Sequence, residues 1–361
     1  MASAPAAANA LPWVTWGKAL ASQVIVWHHL LLYGPLATTL DADWPTATTF
    51  MYDYGRMAVQ VFLVTGGFLA ARSLWPAPDA PRIAWRDWPA RVLARYLRLI
   101  PMLLLALGAG IAAAALARAW MMNADTPAAP TPAQLLAHLL LLQDVAGQPT
   151  LSVGIWYVAI DLQLFALLAA LAALAHALAR PTSGRLCAAA CALPLLAGVV
   201  LSLLWFNRQP EADVWGHYFL GAYGLGVLAA WGRNGARRRG AALLLALLVA
   251  LALLIDWRER IALAGITALL LLWQPWAAAL AHPRLLAPAA WLAAISYGVF
   301  LLHYPLSLTV SALVMRMTPA THGWQVAGLA ATWLLSLLCG WLAWRGLEVR
   351  LVPARRAVLN Y

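Results

Sequence analysis

The sequence predicts an all-α protein, a polytopic transmembrane helical bundle of about ten spans with its N-terminus and C-terminus cytoplasmic. Three observations predict it. Of 361 residues, 64% are hydrophobic and only 10% charged, whereas soluble domains carry about 25% charged and 45–50% apolar residues. Uncharged runs such as residues 99–117, LIPMLLLALGAGIAAAALA, are long enough to cross a bilayer core of about 30 Å as helices. Finally, basic residues crowd into alternate loops. A soluble fold would need apolar surface that water does not tolerate. Disorder requires the opposite composition, and membrane β-barrels alternate apolar with polar residues, which this chain does not.

The apolar segments lie at about 13–33, 54–75, 97–118, 153–179, 186–206, 214–232, 240–256, 260–280, 290–315 and 323–345. Segment 134–142 is too short to span and reads as an interfacial helix on a loop. The N-terminal MASAPAAANALPW lacks the basic region of a signal peptide, so the first span is expected to stay in the mature protein. With the N-terminus inside, 17 of the 24 basic residues fall in cytoplasmic segments and nine of the 13 acidic residues outside. That bias sets the orientation and accounts for the net charge of +11 without nucleic acid. One integral-membrane domain covers residues 1–361, its core at about 13–345, and no separate soluble domain is expected. Cys187, Cys191 and Cys339 lie in apolar stretches and form neither a disulfide framework nor a metal motif.

Charged residues at mid-bilayer cost about 2.5–3.5 kcal/mol each on insertion scales and face a cavity or a partner. In the first span, WVTWGKALASQVIVWHHLLLYGP, Lys18 and His29 are separated by eleven residues. Eleven helical residues rotate only about 20° past three full turns and rise about 16 Å. The two therefore share a face, with Ser22 between them and His28 pointing away. Lys18 snorkelling to the interface, with His29 bonding a backbone carbonyl, is the structural alternative to a functional stripe. In WPARVLARYLRLIP, Arg95 and Arg98 sit three apart before Pro101. Such a pair suits phosphate groups and equally suits membrane anchoring. Arg82, Arg86 and Arg91 read as anchors.

Asp161, in GIWYVAIDLQLF, is the carboxylate that falls inside a span, at nearly the depth of His29. A carboxylate beside a histidine fixes its tautomer and raises its basicity; an interhelical structural bond is the alternative. His303, in SYGVFLLHYPL, is a weaker candidate. The paired glycines of FLVTGGFLAARS permit close helix contact or a widened cavity. The chemistry these residues allow is acyl or phosphoryl transfer. No metal cage, dinucleotide fingerprint or Walker loop is present in the sequence.

Together these elements resemble the membrane acyltransferase-3 family, bacterial O-acyltransferases of cell-envelope carbohydrates. GKALASQVIVWHH resembles its first helix, giving Lys18 and His29. VQVFLVTGGFLAARS resembles its second-helix signature, and ARYLRLIP its paired arginines, Arg95 and Arg98. IWYVAIDLQLF and ISYGVFLLHYPL are similar to two further elements, giving Trp156 and Asp161, then Ser296, Tyr297 and His303. Three positions depart from the family pattern: Lys18 replaces arginine, Gly66 a serine and Asp161 a glutamate.

The resemblance implies a multi-pass enzyme of the bacterial inner membrane that moves an acyl group, by family default acetyl, from cytoplasmic acyl-CoA to a hydroxyl of an envelope carbohydrate or glycolipid. Acyl-CoA would be a donor substrate, with no permanently bound cofactor or metal. It implies Lys18, Arg95 and Arg98 as phosphate binders and His29, oriented by Asp161, as general base, with His303 and Trp156 as further site residues. A proton-coupled carrier of an anionic or glycolipid substrate is the competing reading. Trp44, Trp120 and Trp215, in or beside the outer loops, suit interfacial anchoring or sugar stacking.

Overall fold

The structure, a computed structural model, describes residues 11–74, 83–121, 126–178, 184–233, 237–319 and 321–350. Both tails, Arg82, Arg180, Arg355 and Arg356, and the side chains of Arg185, Cys187 and Cys191 lie outside the described residues. Among the described residues, fourteen α-helices and short 3₁₀ and π turns make up the regular structure, and no strand occurs. The helices are α1 (Pro12–Leu32), α2 (Ala37–Asp43), α3 (Pro45–Tyr54), α4 (Ala58–Leu74), α5 (Trp88–Trp120), α6 (Pro132–Leu139) and α7 (Ile155–Leu178). After these come α8 (Gly184–Leu204), α9 (Gly216–Gly232), α10 (Arg238–Ile255), α11 (Glu259–Trp273), α12 (Ala277–Leu280), α13 (Pro283–Met317) and α14 (His322–Ala343).

Each of the ten apolar segments coincides with a helix, and six stretches are long and apolar enough to cross a bilayer among the described residues. They are Pro45–Leu74, Trp85–Trp120, Ile155–Ala177, Arg238–Ile255, Pro283–Met317 and His322–Glu348. The remaining four differ for physical reasons. At 17 and 15 residues, α9 and α11 measure about 26 and 22 Å, short of a core of about 30 Å. α1 has 21 residues but interleaves Lys18, Gln23, His28 and His29 with its apolar ones. α8 contributes a shorter apolar stretch, Ala192–Arg208. Where the sequence predicts a short helix at 134–142, α6 covers Pro132–Leu139. The Thr131 hydroxyl accepts from Gln134 N–H and the Gln134 side chain returns the bond, a capping box. It exposes Leu136 and buries Ala137 and His138.

The chain groups into two compact units. The first comprises residues 1–18, 59–96 and 159–289, and α9 is its centre. Fourteen of the 17 residues of α9 are buried, so it is apolar all round rather than striped. Glycines let its neighbours approach. A Cβ at Gly67 of α4 would stand 1.9 Å from the Tyr223 carbonyl oxygen, and one at Gly226 would stand 1.9 Å from that of Val64. The paired-glycine segment therefore makes a close backbone crossing, the tight-contact alternative raised by the sequence. Gly67→Ala is expected to destabilise the protein by about 3 kcal/mol or more, because backbone cannot yield as a side-chain tip can. Thermal unfolding in detergent reads this against Gly108→Ala, whose added Cβ meets nothing within 4 Å.

Polar latches close this unit. Gln163 of α7 accepts from the Gly216 N–H at 2.7 Å and donates to the Val214 carbonyl at 3.3 Å, capping α9. Arg258 donates to the Leu203 carbonyl at 2.9 Å and to Asn207 Oδ1 at 2.6 Å, capping the C-terminal end of α8. The Trp88 indole donates to the Ala166 carbonyl at 2.8 Å, tying the start of α5 to α7.

The second unit comprises residues 19–58, 97–158 and 290–361. Its core forms around α13. Val26 and Leu30 of α1 and Leu329 of α14 pack with Ile295, Val299 and Val310. Ala113, Ala114 and Ala117 of α5 pack with Tyr304, Leu308 and Ala312. α5 continues through Pro101, and the Tyr297 hydroxyl donates to the Leu99 carbonyl at 3.0 Å in the turn that the proline weakens. Gly154 opens α7 at φ +96°, with the Phe300 ring 3.0 Å from where a Cβ would stand, so glycine is needed both for conformation and for space.

Near the end of α6, His138 Nδ1 donates to the Gln134 carbonyl at 2.8 Å, and Nε2 accepts the N–H of Leu151 in the loop before α7 at 3.1 Å. Both nitrogens are used only in the neutral ring. Burial lowers the His138 pKa below its usual value, against smaller opposing effects of Gln134 and Asp144. With the folded pKa depressed, the opened loop binds more protons. Loop stability is therefore present above about pH 6.5 and declines as pH falls towards the folded pKa. Amide exchange at Leu151, corrected for its intrinsic rate, is expected to accelerate below about pH 6.5, and His138→Gln should flatten that dependence.

Candidate active site

Among the described residues, each unit holds one polar cluster that gathers residues singled out in the sequence. In the first unit, Arg95 of α5 meets Asp161 of α7. Arg95 Nε donates to Oδ2 at 3.0 Å, and Nη2 to Oδ1 at 2.8 Å and Oδ2 at 2.7 Å. The Arg95 side chain is 27% exposed and that of Asp161 9%, and the guanidinium lies 5.5 Å from the Phe165 ring centre, one turn beyond Asp161. Tyr223 of α9 is buried beside this pair, its hydroxyl without a hydrogen-bond partner among the described residues. Gly66 faces it: a Cβ there would lie 3.3 Å from the Tyr223 ring and 4.0 Å from Asp161 Oδ1. Lys18, on α1 of this unit, is half-buried.

In the second unit, His29 of α1 and His303 of α13 are both buried, and their Nδ1 and Nε2 atoms lie 2.8 Å apart. Their ring centres are 5.0 Å apart and their planes 14° from parallel. An imidazole nitrogen sits roughly 1.1 Å from its ring centre, so these values describe rings meeting head-on in nearly one plane, along the lone-pair direction, rather than face to face. Aromatic side chains surround the pair. Tyr33 lies 5.7 Å from His29, and Phe300 6.1 Å from His303. Tyr157 packs edge-on to Phe300 and to Trp156. His28, rotated away from His29 as the helical spacing requires, has Nδ1 donating to the Met51 carbonyl at 3.0 Å.

The sequence drew Asp161 towards His29. In the structure each has a partner within its own unit: Asp161 holds Arg95, and His29 holds His303. Arg98, three residues beyond Arg95 on α5, is exposed in the second unit. Tyr223 escaped sequence reasoning, although the glycine-rich GAYGLG around it signals a crowded crossing. Trp44, Trp120 and Trp215 are exposed. Among the described residues no group of three or more His, Cys, Asp or Glu is placed to hold a metal.

A family model described as an acyltransferase domain, of the acyltransferase-3 type, matches residues 11–343, from the start of α1 to the end of α14. The chain belongs to the acyltransferase-3 family. No curated protein and no solved structure shows significant similarity to it. An acyltransferase-3 domain in this chain is thus a multi-pass membrane acyltransferase. Within that domain His29 and His303 form a buried pair of imidazoles, and Arg95 and Asp161 a largely buried ion pair.

Proposed function

We propose that this acyltransferase transfers an acyl group, acetyl by family default, from cytoplasmic acyl-CoA to a hydroxyl of an envelope carbohydrate in the bacterial inner membrane. The buried His29 supports this reading best: an imidazole held head-on by a neutral partner, on the same helical face as Lys18 eleven residues earlier. Lys18, Arg95 and Arg98 bind the phosphates of the donor, and the Asp161 carboxylate fixes the Arg95 fork. The rise of about 16 Å along α1 separates the phosphate end from the reacting end.

His29 removes the proton from the acceptor hydroxyl as its oxygen attacks the thioester carbonyl. The carbon–sulfur bond breaks, and the departing thiolate recovers the proton from His29. The products are an ester and free CoA thiol, so atoms and charge balance without a further reactant. Labelled acetyl-CoA supplied to inverted membrane vesicles tests the reading. Base-labile label in envelope carbohydrate that depends on the intact chain is the expected result. Equal labelling with and without the chain would remove acetyl transfer and bring forward a longer acyl donor or a carrier.

A further inference from the structure

We infer that His303 is a positioning residue that fixes the tautomer of His29, making His29 Nε2 the atom that accepts the proton. The inference rests on the reading of His29 as the base. The 2.8 Å contact between His29 Nδ1 and His303 Nε2 holds one proton between two neutral rings, which leaves two arrangements. Either His29 Nδ1–H donates, with the second proton of the pair on His303 Nδ1, or His303 Nε2–H donates and His29 carries its proton on Nε2. Only the first leaves His29 Nε2 with a lone pair.

The outer nitrogen of His303 decides between them. His303 Nδ1 is buried with no hydrogen-bond partner among the described residues, and the backbone groups the ring leans over on its own helix are the carbonyls of Val299 and Phe300, four and three residues earlier. Carbonyl oxygens only accept. They attract a proton on Nδ1 and repel a lone pair there, so Nδ1 carries the proton and Nε2 accepts. His29 Nδ1 is then the donor, and among the described residues its ring makes no other hydrogen bond. When Nε2 takes a proton, the Nδ1–H···Nε2 bond is retained and strengthens as His29 becomes charged. A neutral histidine supplies this orientation without a second buried charge, which a bilayer interior makes costly. Asp161 is committed to Arg95 and is not required for the task.

Nitrogen-15 NMR of histidine-labelled full-length protein in lipid nanodiscs at pH 7.5 tests the inference directly, with turnover measured alongside. The expected spectrum has the proton on Nδ1 of both His29 and His303. A proton on Nε2 of His29 would overturn the inference whatever the activity. His303→Leu removes the acceptor, so His29 should relax towards a mixture of tautomers. Turnover should then fall roughly 10–100-fold with unchanged KM for donor and acceptor. His303→Gln, whose amide oxygen can accept the Nδ1 proton, should recover most of the rate. A folded His303→Leu variant with parental turnover would also overturn it. If the intact protein transfers no acyl group while both rings show the expected tautomer, the proposed function fails and the orientation of His29 stands.

Discussion

His29→Asn is expected to lower acyl transfer roughly 10²–10⁴-fold, the usual contribution of a positioned general base. The substitution separates base from packing. An asparagine amide places a donor near Nδ1, so the bond to His303, 2.8 Å in the parent, can persist while nothing occupies Nε2. Thermal stability should therefore stay close to the parent, and KM for acyl-CoA should be unchanged. Steady-state transfer with labelled donor, run beside a melting curve, measures both. A rate within threefold of the parent in a folded variant would show that proton removal is done elsewhere.

Asp161→Ala should be the most destabilising single change at the Arg95–Asp161 pair. It strips a largely buried guanidinium of three charge-assisted bonds. Leaving one charge of such a pair unpaired costs about 3–5 kcal/mol, and the 27% exposure of Arg95 places the expectation near the lower figure. The double variant Arg95→Met/Asp161→Leu replaces both charges with apolar volume and is expected to melt close to the parent. Function separates the two roles of Arg95. If it binds donor phosphate, the double variant regains stability and still shows a raised KM for acyl-CoA. Recovery of both would reduce the pair to a structural clasp.

The helices were legible because apolar runs and their interruptions are local properties of the chain. The face shared by Lys18 and His29 follows from helical rotation alone, and so does the turn of His28 away from His29. Partners across the fold were not legible in this way. His29 and His303 are 274 residues apart in sequence, and no spacing rule connects them. Asp161 and His29 are polar at similar depth, and depth alone names no partner for either: within their own units Asp161 holds Arg95 and His29 holds His303. The Arg95 partnership depends on how α5 and α7 face one another, which composition does not encode. The span count illustrates a different limit. Hydropathy alone does not distinguish a helix bathed in lipid from one enclosed by protein, and α9 and α11 are as apolar as their longer neighbours but shorter.

The enclosure of α9 has a bearing on how the protein responds to its bilayer. A lipid-facing helix must match the hydrocarbon thickness or tilt to fit. α9 has protein as its solvent on nearly every side, so its short length carries no mismatch penalty. α10 presents Leu243, Leu247, Leu251 and Leu254 outward, and only 11% of its spanning window is buried. Thinning or thickening the membrane therefore acts on α10 directly, as tilt, and on α9 only through its neighbours. A change of bilayer thickness thus reaches Tyr223 only through the helices that pack against α9.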